Sequence, residues 1–571
     1  MTSRVPVLAS RLLGVLLGVG IGIGLPTVAG ATFEIPEGQT ITDLDGIQRA
    51  IPQKEAYELY DPAIGRNFDL KNFWMRADLR VRPEWRNGTC FGGASPVGGA
   101  CNSFGGFNGA GGASATSTNG QAGLANPGKN ASDFYIQQWA RLGIGYDLSP
   151  DVNFYLEVID SATWGGNGDN LNGGDGGDPL NHNGSVFGGA GNNGRLGVRA
   201  AYVLIRNLSG VQGLSVKVGR QYLVFGNNSL FGHFDWANTG YSHDGAMLSY
   251  STKKFDSYLG WFRNSESDIG QATPVGGGQN NLANGPSGTL NNGSANLDAD
   301  MIIFYNQLKS ISGFLIEPFY VYYKNNYNSA DNAAQGLGTP KHSQQIRHMI
   351  GNRTELRKGN WDAINETAWQ FGHMADGLGI DNRRNVSINA WATRNWLGYT
   401  WYETLWKPRV AIGFDYASGD GNANCSVGGA AQAGYACRTA NTFENFFPTN
   451  FIHTGFMLNA AWKNSIQPQI NIQARPSRRD HVEFWAQMHY LPNARDNWYR
   501  GSQGVLVFSR PDNTSNHAGD EVDFAWTRMF ADGKVSLSVI YGHFFIGDYV
   551  RNNLGTNRDQ DWGVVQLWMN F

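Results

Sequence analysis

Charged residues are scarce in this sequence. Asp, Glu, Lys and Arg make up 16% of its 571 residues, whereas a soluble domain has about 25%. The formal net charge of −3 provides no overall basic field, which argues against a nucleic-acid partner. After Ala31 no apolar run approaches the roughly 18 residues that a transmembrane helix needs. We therefore expect no membrane-spanning helix beyond that point.

Glycine and aromatic residues are abundant instead. The chain has 76 Gly, and aromatic residues account for 13% of it. So many aromatic and so few charged residues exclude a disordered chain. Gly follows no three-residue period, which excludes collagen, and the composition is also wrong for a coiled coil. The length alone would suit several soluble domains, but no clean linker divides the chain, so we consider one large β-architecture.

The N-terminus has the pattern of a secretory signal. Arg4 and Arg11 precede the uncharged apolar run Leu12–Val28, and a small-residue end follows at Ala29, Gly30 and Ala31. These features predict a signal peptide over residues 1–31, cleaved after Ala31. An uncleaved membrane anchor is the alternative, but the run is short and rich in Gly. We therefore expect an exported protein.

Only four cysteines are present, and they occur as two local pairs. Cys90 and Cys101 share one stretch rich in Gly, Asn and Ser, and Cys425 and Cys437 share another. Four cysteines can pair in more than one way, and we favour the local disulfides Cys90–Cys101 and Cys425–Cys437 in an oxidising compartment. Neither pair has the spacing or a neighbouring His that a zinc site needs. We therefore predict no metal and no cofactor.

A period of two dominates the stretch Leu70–Arg86. One parity is apolar (Phe73, Met75, Ala77, Leu79 and Val81), and the other is ionisable (Arg76, Asp78, Arg80, Arg82, Glu84 and Arg86). This period places the two sets on opposite faces of a strand. Six ionisable side chains on one face would be costly in a dry core. The pattern predicts a strand with lipid on one side and a water-filled lumen on the other.

The same alternation recurs along the chain in segments of roughly ten residues. In one of them the apolar residues Leu196, Val198, Tyr202 and Leu204 oppose Arg195 and Arg199. A soluble β-sandwich would show similar alternation. The signal sequence, the number of segments and their aromatic ends favour a transmembrane barrel.

The connections between these segments are alternately short and long. We predict tight turns at Leu148–Asp151, Lys253–Asp256, Ser477–Asp480 and Ala531–Lys534, and long loops at 87–133, 165–193, 265–298, 418–454 and 493–519. Short periplasmic turns opposite long extracellular loops are typical of outer-membrane barrels. A first count gives about nineteen strands, but a bacterial barrel needs an even number. We assign the weakest segment, Gly455–Asn464, to a connection.

The predicted fold is therefore all-β, with residues 70–571 forming a single transmembrane antiparallel β-barrel of about 18 strands. Residues 32–69 precede it as a periplasmic leader, which either docks an export partner or simply leads into the barrel. At the other end, Phe571 follows Met569, Leu567 and Val565 at every second position. Such a terminal aromatic strand favours recognition by the barrel insertion machinery and a place in the cell outer membrane, among its lipid and lipopolysaccharide.

Four stretches resemble the alginate export porin family: Val218–Tyr250 (VGRQYLVFGNNSLFGHFDWANTGYSHDGAMLSY), Ala411–Asp420 (AIGFDYASGD), Phe446–Asn450 (FFPTN) and Glu521–Asp548 (EVDFAWTRMFADGKVSLSVIYGHFFIGD). The resemblance implies an eighteen-stranded outer-membrane porin whose better-known members pass anionic polyuronate through an Arg-rich constriction. The chain also departs from the family. Asn227 and Ser229 stand where members tend to have an acid and an Arg, and the turn Ala531–Lys534 is tight where the alginate secretion porin has a long one.

The inward parities also carry the candidate substrate-binding residues, which are Arg76, Arg80, Arg82, Arg86, Arg141, Arg199, Arg353 and Arg409. Guanidinium groups stay charged and bind carboxylates, so a ring of them would ease the passage of a polyanion. The alternative is that they merely hydrate the lumen, because acids such as Asp78, Glu84 and Glu157 share the same faces.

Three functions therefore remain open on the sequence. The first is a porin for an anionic polysaccharide, alginate-like, or a related small anionic solute. The second is a general diffusion porin with weak charge selectivity. The third is a barrel enzyme or receptor. The enzyme is disfavoured because no catalytic motif is present and the set His481, Glu483 and His489 is of a kind that polar lumens produce routinely. Neither the direction of transport nor calcium binding by the loop segment Gly165–Asp178 follows from the sequence.

Overall fold

The computed structural model describes residues 72–88, 91, 132–164, 196–236, 241–265, 299–325, 345–375, 385–421, 439–501, 505–507, 509–510 and 512–570. All of these belong to one compact unit, Gln39–Phe571. The signal peptide, the leader, the four cysteines, Gly165–Asp178 and Phe571 lie outside the described residues. The expectations about them stay predictions.

Strands make up most of the described residues. Their bounds are β1 Phe73–Asn87, β2 Ser132–Ser149, β3 Val152–Thr163, β4 Leu196–Ile205, β5 Leu214–Gln221, β6 His243–Ser251, β7 Phe255–Ser265, β8 Ala299–Ile311, β9 Phe314–Asn325, β10 Gln345–Lys358, β11 Trp361–Ala375, β12 Asn385–Thr400, β13 Arg409–Ala417, β14 Thr439–Ala440, β15 Ser465–Ala474, β16 Asp480–Tyr490, β17 Trp498–Tyr499, β18 Val505–Val507, β19 His517–Phe530, β20 Val535–Ile546 and β21 Gln560–Asn570. A short α-helix, α1, covers Asp548–Leu554, and 3-10 turns cover Leu208–Gly210, Asn450–Ile452 and Ala531–Gly533. No helix among the described residues is both long and apolar enough to cross a bilayer.

Eighteen of these strands form a closed antiparallel barrel. Each long strand pairs with the next one along the chain, and β21 returns to pair with β1. The three short strands stand apart: β14 lies parallel to β12 beyond the end of β13, and β17 pairs with β18. Gly455–Asn464 contains no strand. The predicted fold class and strand number are confirmed.

Short turns join the strands at one end of the barrel. The four predicted turns are found there, between β2 and β3, β6 and β7, β15 and β16, and β19 and β20. The chain enters β1 and leaves β21 at this same end. An even strand number requires this, and it matches the periplasmic end of an outer-membrane barrel.

The two faces of the wall differ as the alternation predicts. Met75, Phe134 and Ile412 are 63%, 63% and 58% exposed on the outer face, whereas inward-facing side chains such as Arg80, Arg141 and Asp415 are buried. A largely apolar outer surface suits lipid rather than water.

One segment departs from the predicted faces. Tyr202 and Leu204 are buried. The sequence predicts instead that they face outward together with Leu196 and Val198. The pairing of β3 with β4 shifts between Glu157 and Val158, and an extra residue in one strand inverts the parity beyond it. The prediction was therefore wrong for Tyr202 and Leu204, which point into the barrel.

Candidate functional site

The connection after β5 turns into the barrel. Residues 222–236 of this connection contact inward-facing side chains on well-separated parts of the wall. The Arg80 guanidinium of β1 donates to the Asp235 carbonyl, while Ser229 Oγ donates to Glu366 on β11. Gly226 lies so close to Arg353 of β10 that a Cβ there would be 2.8 Å from Arg353 Cδ. The segment therefore crosses the interior.

A second stretch, residues 441–464, packs against the first. The Thr449 N–H donates to the Asn228 carbonyl at 2.8 Å, and the Phe234 N–H donates to Thr449 Oγ1 at 3.2 Å. The His453 ring contacts the Asn227 carbonyl at 2.7 Å. We call residues 222–236 and 441–464 the inserted segments. The second of these includes residues 441–454 of the long connection predicted over 418–454, and this part of the connection packs against the first inserted segment.

Asp235 is the centre of the charged cluster in this interior. Its Oδ2 lies 2.9 Å from Arg141 Nη1 on β2, and its Oδ1 lies 2.8 Å from Arg199 Nη2 on β4. His233 Nε2 is 3.5 Å from the same Oδ2. Arg141 also holds Asp78 of β1, with Nε 2.9 Å from Oδ1. Two wall strands thus present their guanidinium groups to one carboxylate of an inserted segment.

Arg80 and Arg82 bind the backbone of the same segment. Arg80 donates to the carbonyls of Asp235 and Trp236, the latter at 3.2 Å, and Arg82 also donates to the Trp236 carbonyl. Each guanidinium also stacks on an indole, Arg80 at 3.9 Å from the Trp139 ring centre and Arg82 at 4.0 Å from that of Trp236. Such cation–π contacts gain strength away from water. Neutral backbone carbonyls and indole rings therefore help to stabilise the two guanidinium groups.

Among the described residues, the cluster gathers more guanidinium groups than carboxylates. Ion pairs join Arg76, Arg82, Arg86, Arg141 and Arg199 to four carboxylates (Asp78, Glu84, Glu157 and Asp235), and Arg80 joins the cluster through the Asp235 backbone carbonyl. Arg80 is fully buried and Arg82 is 2% exposed. The expectation that the ionisable face of β1 must be in water is wrong here, because ion pairs, carbonyls and indoles replace the water.

Burial and charge oppose each other at Asp235. Burial alone would raise the pKa of the Asp235 carboxyl, but Arg141, His233 and Arg199 outweigh it and hold the pKa well below its usual range. Tyr222, at the start of the same segment, donates its hydroxyl to Glu157. Burial, reinforced by the Glu157 charge, raises the pKa of Tyr222 well above its usual range. Asp235 is therefore ionised and Tyr222 protonated over the physiological pH range.

Two of the eight candidate Arg residues lie outside this cluster. Arg353 pairs with Glu317 and Glu355, and Arg409 Nη2 lies 2.6 Å from Asp362 Oδ1 near the short turns. Both are matched by carboxylates of the barrel wall. The structure thus brings together six of the predicted residues and leaves two in separate ion pairs.

A pair of carboxylates on β19 holds the other inserted segment. The Met457 N–H donates to Glu521 Oε1 at 3.0 Å, and the Phe456 N–H donates to Asp523 Oδ2 at 3.2 Å. Both acids are at most 1% exposed. His489 Nε2 is 3.8 Å from Glu521 Oε2. The described residues include no group of three or more His, Cys, Asp or Glu side chains arranged to hold a metal ion.

Comparison with solved structures gives distant matches. The chain is 11% identical to OccAB1 of Acinetobacter baumannii (TM-score 0.46), with 87% of this chain and 96% of that one covered. It is 12% identical to OpdQ of Pseudomonas aeruginosa (TM-score 0.44; 87% and 98% covered) and 9% identical to OccK11 (OpdR) of the same organism (TM-score 0.44; 87% and 96% covered). Comparison with curated protein sequences gives no match.

The family comparison is more informative. The sequence pattern described as alginate export matches residues 189–564, a range that contains both inserted segments and all barrel strands from β4 to β20 in full. The match covers well over half of the chain and confirms the resemblance seen in the sequence. With its closed eighteen-stranded barrel, the chain belongs to the alginate export family of outer-membrane proteins.

Proposed function

We propose that the protein is an outer-membrane channel that passes anionic solutes, with a polyuronate such as alginate as the polymeric cargo. Membership of the alginate export family supports transport through the barrel. The observation that carries the anionic preference is the charge balance around Asp235, where six Arg meet four carboxylates.

These guanidinium groups lie beside an inserted segment that crosses the interior. Arg80 and Arg82 bind carbonyl oxygens of that segment, which orients their charge. A charge surrounded by low-dielectric walls acts on a passing ion more strongly than one in open water. Several weak guanidinium–carboxylate contacts would also let the cargo leave again.

Ion selectivity in a planar bilayer tests this function. With a salt gradient across the wild-type channel, we expect a reversal potential of the sign that anion flow produces, together with concentration-dependent block by polyuronate. Arg80→Gln and Arg82→Gln should move the reversal potential towards zero. Arg528→Gln is the matched control, because Arg528 lies near a short turn with its side chain 42% exposed, and it should behave as wild type.

The alternatives predict other results. A general diffusion porin would show little ion preference and no polyuronate block in the wild type, and the Arg variants would not differ from it. A barrel enzyme would turn over a lipid or glycan without steady conductance. Either outcome contradicts the proposed function.

A further inference from the structure

We propose that Arg141, Arg199 and His233 form a carboxylate-binding subsite which the chain's own Asp235 occupies, so that anionic cargo binds there by replacing Asp235. This inference rests on the proposed function and names the group on the cargo that is recognised. Asp235 would act as an internal competitor that sets the affinity of the channel for carboxylates.

The site has the geometry of a carboxylate receptor. Asp235 presents one oxygen to Arg141 at 2.9 Å and the other to Arg199 at 2.8 Å, while His233 approaches at 3.5 Å. Two guanidinium groups on two oxygens of one carboxylate give charge-assisted hydrogen bonds of good length. A uronate or any small carboxylate offers the same two oxygens.

The receptor side is held in place by contacts other than the Asp235 carboxylate. Arg141 is fixed by Asp78, and its guanidinium lies 4.1 Å from the centre of the Trp139 ring. Arg199 also donates to Ser242 Oγ at 3.0 Å and to the His233 carbonyl at 2.9 Å. Neither guanidinium depends on the Asp235 carboxylate for its position. The two groups therefore remain a preorganised pair when that carboxylate leaves.

Asp235 differs from the other acids of the cluster because it is not part of the barrel wall. Asp78 and Glu157 stand on β1 and β3, where their backbone is fixed by the strand ladder. Asp235 belongs to an inserted segment, whose backbone is held through its carbonyl by Arg80. A change of the Asp235 side-chain rotamer can thus vacate the subsite without moving the backbone.

Replacement of one carboxylate by another leaves the charge of the subsite unchanged. Binding of cargo is then an exchange, because the hydrogen bonds that the incoming carboxylate accepts offset those that Asp235 gives up. The net affinity of each subsite stays low, as passage through a channel requires, since a solute held too tightly would not leave. A subsite without the internal carboxylate would hold anions more firmly.

Acetate, as the smallest suitable probe, tests the proposal on the full-length protein in detergent. Asp235→Ala should lower the melting temperature followed by circular dichroism, and acetate should restore part of the loss while chloride at equal ionic strength should not. The half-saturating acetate concentration should be about tenfold lower than for the wild type, as expected for one freed pair of charge-assisted hydrogen bonds. Acetate should also block the single-channel current of Asp235→Ala at lower concentrations than that of the wild type.

Two further variants make the result specific. Asp235→Asn fills the subsite with a neutral amide, so acetate should not stabilise it, although the channel should become more anion-selective because a negative charge is lost. Asp300→Ala removes the carboxylate of a separate pair, in which Asp300 Oδ1 lies 2.8 Å from Arg263 Nε, and its response to acetate should match the wild type.

Equal acetate responses in the wild type, Asp235→Ala and Asp300→Ala would overturn the subsite. The proposed function would survive that result, because anion preference and its loss in Arg80→Gln are measured in chloride salts alone. Absence of anion preference in the wild type would instead overturn the proposed function, whatever the acetate response of Asp235→Ala.

Discussion

The indole of Trp236 stacks on the phenyl ring of Phe451, with ring centroids 3.7 Å apart and planes 10° from parallel. Trp236 is 5% exposed and Phe451 is fully buried. Each ring belongs to a different inserted segment, so this stack joins the two segments inside the barrel. We expect it to control how firmly both segments stay in place.

Phe451→Ala should therefore raise single-channel conductance and current noise. Removing a buried aromatic ring costs about 3–5 kcal/mol, and here the loss falls on the contact between the inserted segments rather than on the wall. Bilayer recordings measure the conductance. Phe414→Ala is the matched control, because Phe414 is 44% exposed on the outer face and its conductance should equal that of the wild type. Unchanged conductance in Phe451→Ala would contradict the role of the stack.

Gly226 meets two constraints at once. Its φ is +56°, and a Cβ on it would press on Arg353 Cδ at 2.8 Å and on the Tyr305 hydroxyl at 3.0 Å. Gly226→Ala should lower the free energy of unfolding by more than Gly359→Ala, since Gly359 has φ +59° but nothing within 4 Å of its Cβ position. The backbone cost common to both is about 1 kcal/mol. Urea titrations of the two variants measure the difference. Equal losses of unfolding free energy would show that the Arg353 side chain moves away from the added Cβ at no cost.

The low pKa of Asp235 predicts how stability depends on pH. In the unfolded chain an Asp has a pKa of about 3.9, whereas burial at this site is outweighed by Arg141, His233 and Arg199, which depress the folded pKa. A depressed pKa stabilises the folded state fully above the unfolded value, and the contribution is lost as pH falls towards the folded value. The difference in unfolding free energy between wild type and Asp235→Asn should thus be constant from about pH 8 to 5 and shrink below about pH 4. A decrease of this difference already between pH 7 and pH 5 would contradict the prediction.

Glu521 separates the effect of a buried acidic group from that of a hydrogen bond. Glu521→Gln keeps an acceptor for the Met457 N–H and removes one of two neighbouring buried acidic groups, so stability should hold or rise. Glu521→Leu removes the same acidic group but leaves that N–H without its acceptor, which costs about 1–3 kcal/mol. Denaturant unfolding of both variants provides the comparison. Equal stabilities would mean that the contact at 3.0 Å contributes nothing.

The barrel could be predicted from sequence because its signal is local. In β1 and β16 successive side chains alternate between lipid and interior, so the period of two is readable within one strand. Tyr202 and Leu204, whose faces were predicted wrongly, also lie on alternating positions of their strand. A β-bulge inverts their parity, and the composition of the segment does not reveal it. This alternation alone was enough to predict that the Arg residues of β1 lie on the inner face.

The partner of those Arg residues could not be predicted in the same way. Asp235 lies 94 residues from Arg141 along the chain, and the segment around it has no regular period. The available signal was a close run of large apolar residues, among them Leu230, Phe231 and Phe234, that are buried in a connection between strands. Such a run is out of place in a loop surrounded by water, and it indicates a connection that folds inward.

The pairing of β1 with β21 has a consequence for biogenesis. Asn87 and Asp561, which are opposite one another across this seam, are 474 residues apart in the chain. Contacts of such separation form late, because a long loop must close first. Until the last strand arrives, β1 presents an open edge that could pair with another chain. Nearly the whole polypeptide must therefore be synthesised, exported and kept from aggregating before the barrel can acquire its final shape.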